Sequence, residues 1–335
     1  MIRRTLVVGT DDLASAHGGL FCRDLSISTP DGSLSIRRGT PLDDRLSAAL
    51  ASQIGTRVEV VLPEPGELAQ ENASERFARA VIGPGLTVER PHQGQCIIHS
   101  ATTGVLRVSA DRVVRINRQG IILLATALDG RLVSPGDTVA IVKAAHLWTP
   151  AERLEEILRT VGPEPILRTA GFTAQTAAFV AGPRIRPRNV QAADQNLRAL
   201  LAPFGIELAT TIRCTDEPAD IAAIYQRLID QQTDLIFVAG SIVLDPADPF
   251  LLALEHVGAI LTCRGAPIDP GTMFWAARAA SSLILGLASC ELYGRRSILD
   301  LLLPYAAARE PIDQNLLAEL GYGGLLDQTF SARRS

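Results

Sequence analysis

From about residue 168 onward the chain alternates short apolar runs with amphipathic segments, and this alternation constrains the fold more than any other feature. The runs 177–181, 206–212, 235–238 and 259–263 have strand length and end near Gly, Cys or Arg. Between them, 189–201, 218–230 and 249–257 repeat apolar residues at helical spacing, with Ile221, Ile224 and Leu228 sharing one side. Strands that alternate with helices and carry few polar residues predict a mostly parallel sheet covered on both faces, a three-layer α/β domain. In such sheets ligands bind beyond the carboxyl ends of the strands. The loops after Ala181, Val238, Cys263 and Leu285 are therefore the places to look for a site. A helix–turn–helix tail over 297–327 completes this half.

The first half reads differently. Short apolar runs at 58–62, 95–99, 104–108, 121–125 and 138–142 are punctuated by Gly104, Gly120, Gly130 and Gly136, the pattern of strands and hairpins. One segment, 69–81, reads as a helix stopped by Gly83-Pro84-Gly85. The expected organisation is a β-rich region over 1–148 that can divide into two small lobes. A connecting helix and linker follow over 149–166, then the α/β domain over 167–335. The connecting helix is expected to open on a capping box, Thr149-Pro150-Ala151-Glu152, and to stop at Gly162.

Charge and composition exclude several functions. A net charge of −4 without clustered basic and aromatic residues argues against nucleic acid. Cys22, Cys96, Cys214, Cys263 and Cys290 form no Cys-x-x-Cys pair and read as free thiols, and the five histidines are dispersed. The first apolar run is too short for a signal peptide, and no later one approaches the ~20 residues that span a bilayer. The expectation is a cytoplasmic protein with no confident metal site. No Walker sequence and no Gly-x-Gly-x-x-Gly is present, which disfavours nucleoside triphosphates and dinucleotides.

Four loops could carry chemistry. In "TDLIFVAGSIVLDPADPF" (233–250) Gly240 follows a buried run, and Asp248-Pro249 reads as a helix N-cap followed by a first-turn proline. Asp245-Pro246 reads first as a turn. The loop 264–273, rich in Pro and Gly, is either a rigid turn or the wall of a cleft. Residues 286–290 are small, which allows either phosphate approach or close packing. The loop 182–188 holds Arg184, Arg186 and Arg188, suited to phosphate or carboxylate but equally to solvent.

The order of these stretches resembles the molybdopterin-binding domain shared by molybdopterin adenylyltransferases and molybdopterin molybdotransferases. The resemblance runs through Gly182, "DLIFVAGSIVLDPAD" (234–248), "GAPIDPGTMF" (265–274) and "LGLASCELYGRRSILDLLLP" (285–304). A stand-alone molybdopterin-binding subgroup is similar also at "IRRGTPL" (36–42), "GVLRVSADRVVRIN" (104–117), "LLATAL" (123–128) and "LAELGYGGLL" (317–326). The resemblance implies that Gly182, Gly240, Ser241, Asp245, Pro270, Gly271 and Ser289 line a molybdopterin cleft, with Gly240 opening space for the ligand. It implies Asp248 as the acid of any molybdate insertion into adenylylated molybdopterin, with Mg²⁺ assisting. It also implies a homodimer or higher assembly and a client molybdoenzyme. The departures bear on catalysis. Ala239 and Ser241 flank Gly240 where the family has Ser/Thr and Gly. Arg184 stands for Glu, Ala181 for Thr, and Ala288-Ser289 for Pro-Gly. The rival reading is a non-catalytic interaction or scaffold protein that keeps the fold and has lost the site.

Overall fold

The computed structural model describes residues 1–29, 32–288, 291 and 294–326. The chain divides into two compact units, Met1–Thr169 and Ala170–Ser335. No helix among the described residues is long and apolar enough to cross a membrane.

The first unit is built on antiparallel strands around two cores. One core gathers Phe21, Ile36, Leu42, Leu50 and Val60 beneath a sheet in which Arg57–Leu62 pairs with Ile2–Val7 and with Leu20–Phe21. The other lies under a four-stranded sheet of Ile122–Thr126, Thr138–Ala144, Gln95–Ser100 and Leu86–Val88. The helix Gln70–Val81 covers it with Ala73, Phe77 and Val81. Helix Ala151–Val161 belongs to the same core, where it buries Leu154, Ile157 and Val161.

That helix ends at Gly162, at φ 80°, where the sequence places the stop. Its start differs from expectation. Pro150 is the N-cap and no side chain caps the helix. Thr149 is held instead in the short strand Trp148–Pro150, opposite Leu68. It is fully buried there, and its hydroxyl has no partner among the described residues. Strand pairing therefore takes the residue that a capping box needs. A further helix, Ala110–Arg118, escapes the apolar periodicity because Ile116 is its one buried residue.

The second unit is α/β, as its alternation predicts. We label its strands β1 (Thr176–Ala181), β2 (Glu207–Arg213), β3 (Leu235–Ala239), β4 (Ile260–Arg264), β5 (Trp275–Ala279) and β6 (Ser282–Leu287). Its helices are α1 (Pro187–Leu201), α2 (Pro218–Asp230), α3 (Pro249–His256), α4 (Ile298–Ala307) and α5 (Gln314–Leu320). The sheet order is β2-β1-β3-β6-β5-β4. The strands β2, β1, β3 and β6 pair in parallel, β5 runs antiparallel between β6 and β4, and β4 again has the direction of the first four. Phe179, Phe237 and Leu285 face a core with α1, α4 and α5, whereas Val180, Ile236 and Ile284 face α2 and α3. Burial on both faces is what makes these strands apolar at successive positions rather than alternately.

The antiparallel edge departs from simple strand–helix alternation. β5 turns into β6 through Ala280, which holds a left-handed φ of 48° without being glycine or asparagine, so the hairpin has no turn signature. At the amino ends of the strands, Asp234 accepts from the backbone N–H of Gln175 (2.6 Å) and Thr176 (3.0 Å) and pairs with Arg309. This buried carboxylate ties β1, β3 and the end of α4 together.

Candidate functional site

The connections fix where a ligand crevice belongs. From β1 the chain passes through α1 to β2 on one side, then through α2 on the opposite face to β3 on the other side. From β3 it continues away through α3. The strand order therefore reverses between β1 and β3, and their carboxyl ends form the switch point at which doubly wound sheets bind ligands. The register aligns Ala181 with Ala239 and Ala239 with Leu287. Gly182, Gly240 and Ala288 thus follow side by side at one edge.

Gly182 and Gly240 meet across the switch point. The Gly182 N–H donates to the Ala239 carbonyl at 2.8 Å. Gly240 has φ 108°, a value that side chains rarely adopt, and a Cβ there would lie 3.4 Å from Gly182 Cα and 3.7 Å from Ile185 Cγ1. A Cβ at Gly182 would approach Phe250 Cζ to 2.9 Å. The glycines let two loops and the start of α3 close on one another. Around Gly240 it is the positive φ, rather than crowding, that calls for glycine, since a Cβ there would meet Gly182 and Ile185 at ordinary contact distances.

Asp248 holds this closure. Its carboxylate is fully buried and caps α3, with Oδ1 accepting from the N–H of Phe250 and Leu251, each at 3.1 Å. The Ser241 hydroxyl donates to the same oxygen at 3.0 Å, and Oδ2 accepts from the Ile242 N–H at 2.6 Å. Ser241 in turn accepts from Trp275 Nε1 at 2.9 Å. Oδ1 accepts three protein bonds and Oδ2 one, so Asp248 ties the loop after β3 to the start of α3. Asp245 Oδ1 accepts from the Ala247 N–H at 2.9 Å, which makes it the turn residue of its own loop. Arg264 clamps the far side with two bonds to the Val243 carbonyl, at 2.9 and 2.6 Å.

The remaining loops pack against α4. The Pro270 carbonyl accepts from the Ile298 N–H at 3.1 Å, and a Cβ on Gly271 would fall 2.4 Å from Ile298 Cγ2. Both residues therefore seat the loop on the helix start. The Asp269–Pro270 peptide is cis. Gly286 makes room for the Trp275 indole, where a Cβ would lie 2.0 Å from Nε1. Of the two readings for the small residues at 286–290, packing is the one realised at Gly286. Ser289 and Cys290 lie outside the described residues.

Glu291 is the residue that sequence reasoning missed. It follows β6 at the same edge and is 5 % exposed. Its Oε1 accepts from Ser297 Oγ at 3.0 Å, while Oε2 is buried with no partner among the described residues. Burial pushes its carboxyl up to about 7, against the counter-effect of the Ser297 bond. Ser297 caps α4 and, with Asp300, forms the capping box there, so this helix start is already satisfied by protein groups. The signal in sequence was a lone acid among small and apolar residues after a buried strand.

Mg²⁺ takes one or two carboxylates in an oxygen shell. At this edge Asp248 already accepts four protein hydrogen bonds, Arg184 stands where the family pattern has an acid and pairs with Asp216 at 3.3 Å, and Glu291 Oε2 is the one buried carboxylate oxygen without a partner among the described residues. Among the described residues no group of three His, Cys, Asp or Glu is placed to hold a metal. Arginine is what the rim offers: Arg184 and Arg186 are exposed on the β1 loop, and Arg213 donates to the Ile185 carbonyl at 3.1 Å.

No protein-family model matches the sequence, and no curated protein matches it. Several solved structures are similar. A molybdopterin biosynthesis protein from Pyrococcus horikosii is 14 % identical over 73 % of this chain and 81 % of its own, at TM-score 0.29. The molybdopterin biosynthesis Mog protein from Mycobacterium ulcerans is 12 % identical over 44 % and 99 %, also at TM-score 0.29. The CinA protein of unknown function from Thermoplasma acidophilum is 13 % identical over 40 % and 98 %, at TM-score 0.32. With TM-scores this low, the assignment of an α/β unit with a mostly parallel six-stranded sheet rests on the strand order and register themselves.

Proposed function

We propose that this protein binds molybdopterin or the molybdenum cofactor at the carboxyl edge of the β1, β3 and β6 strands and serves its maturation or delivery. The observation that carries this reading is the meeting of Gly182 and Gly240 at the topological switch point, in the order that the resembling motifs follow. The ligand is a phosphorylated heterocycle. The exposed Arg184 and Arg186 supply charge complementary to its phosphate. A client molybdoenzyme and a homo-oligomer belong to the same proposal.

Binding is favoured over molybdate insertion. The carboxylate assigned to that chemistry already accepts four protein hydrogen bonds, and among the described residues no group of three His, Cys, Asp or Glu is placed to hold a metal. The rival is a non-catalytic interaction or scaffold protein that keeps the fold and has lost the site. The test is to purify the protein from cells that make the cofactor, oxidise any released pterin and measure its fluorescence. Bound pterin, or saturable uptake of added molybdopterin, is the expected result. Absence of both would refute the proposal and leave the rival reading.

A further inference from the structure

A cleft of about 500 Å³ opens in the first unit. This is the size that takes a small ligand. One wall is the turn Arg37–Thr40, fixed by backbone bonds from Gly39 N–H to the Phe21 carbonyl (2.8 Å) and from Phe21 N–H to the Thr40 carbonyl (2.9 Å). The second wall is the first turn of helix Gln70–Val81. The third is the tight turn at His92–Gly94, and Trp148 also lines the space.

The polar groups of these walls are built in rather than loosely exposed. Gln70 is buried and donates from Nε2 to the Ala144 carbonyl at 2.7 Å. Buried Ser74 donates to the carbonyls of Gln70 and Gly94 at 2.8 and 2.9 Å, which pins the third wall to the helix. Gly94 cannot carry a side chain, since a Cβ would fall 2.2 Å from Gln70 Oε1.

The charge of the lining selects an anion. Arg37 is paired with Asp24 at 3.5 Å, whereas the guanidinium of Arg38 has no carboxylate partner among the described residues. The single carboxylate of the lining, Glu71, accepts from the Gly94 N–H at 3.4 Å. Helix Gln70–Val81 starts at Ala69 without a side-chain cap, but Glu71 lies in its first turn and the Gln70 N–H donates to the Leu147 carbonyl at 2.9 Å, so Arg38 is the main source of positive charge and the helix dipole a smaller one. The only polar atom of the Trp148 ring donates to the Val61 carbonyl at 2.8 Å, so what the indole offers a ligand is apolar ring surface.

We infer that this cleft binds a phosphomonoester carrying a planar ring, of mononucleotide size, with Arg38 and the helix start on the phosphate and Trp148 against the ring. The inference is independent of the molybdopterin proposal. The test is isothermal titration calorimetry of the full chain with adenosine 5′-monophosphate, ribose 5-phosphate and adenosine at low salt. Expected is saturable one-to-one binding of the nucleotide. Either fragment should bind at least about tenfold more weakly, and Arg38→Glu, at an exposed position, should weaken the nucleotide by at least about tenfold. No saturable heat at millimolar nucleotide would overturn the inference. So would an affinity unchanged in Arg38→Glu, which would locate binding elsewhere. Equal affinity for ribose 5-phosphate would overturn the ring contact with Trp148.

Discussion

Replacing Glu291 by glutamine should remove this position's contribution to the pH dependence of stability. Burial raises the folded carboxyl from its ordinary 4.5 to about 7. The folded state therefore binds more protons than the unfolded state between these two values, and stability falls as pH rises through that window. A difference of roughly 2.5 pH units at 1.36 kcal/mol each corresponds to about 3 kcal/mol. Near-complete burial leaves little solvent screening to discount. Glutamine cannot ionise. Its amide meets the same unpartnered surroundings as Oε2 at every pH, so its packing cost is a constant offset. The assay is urea unfolding at about pH 5 and about pH 8, followed by the buried Trp275 in a Trp148→Phe background so that the second unit reports alone. Relative to the parent, Glu291→Gln should gain about 2.5 kcal/mol on going from the lower to the higher pH, the part of the window that lies above pH 5. Groups that titrate in both proteins cancel from this difference. A difference that stays constant with pH would refute the reasoning and require the carboxyl to be hydrated.

Further consequences follow from packing and burial. Asp248→Ala leaves three backbone N–H groups and the Ser241 hydroxyl without their acceptor, and should cost about 3 to 4 kcal/mol by urea unfolding, more than an exposed N-cap at about 1 kcal/mol. Gly286→Ala drives a methyl into the Trp275 indole and should cost about 3 kcal/mol or displace the tryptophan, read by its fluorescence maximum. Burial pushes the thiols of Cys96, Cys214 and Cys263 up to about 11, whereas Cys22 is only partly buried. Peptide mapping after brief alkylation of the folded protein should find Cys22 modified well before those three.

How far the sequence could be read follows from which interactions are local. The α/β unit was legible because burial on both faces leaves apolar runs that flanking helices punctuate, and Asp248-Pro249 was legible as a cap because capping is a matter of neighbouring residues. The capping box at Thr149 failed for the opposite reason: pairing with Leu68, remote in sequence, claimed the residue. The hairpin between β5 and β6 was hidden because Ala280 takes a left-handed conformation that its side chain does not advertise. The candidate site was legible as a set of loops and illegible as a geometry. Nothing near Gly240 announces that Gly182 lies beside it, and nothing near Glu291 announces its burial.

Ser241 shows how a departure from a motif can be structural in origin. Where the family pattern has a second glycine, the serine hydroxyl accepts from the buried Trp275 indole and donates to Asp248. A glycine at 241 would leave the indole N–H without an acceptor and remove one donor from a carboxylate that is fully buried. If Ser241 serves the fold, Ser241→Gly should cost about 1 to 3 kcal/mol, the penalty of an orphaned buried donor. That cost should shrink when Trp275→Phe has already removed the indole N–H, with a coupling of roughly 1 kcal/mol in the double-mutant cycle. If the serine merely narrows a ligand site, Ser241→Gly leaves stability unchanged and the cycle shows no coupling. The two outcomes assign the same substitution to different causes. Coupling would mean that Ser241, Asp248 and Trp275 persist together as a self-satisfied buried network, and that retention of Asp248 in the motif is no sign of retained catalysis.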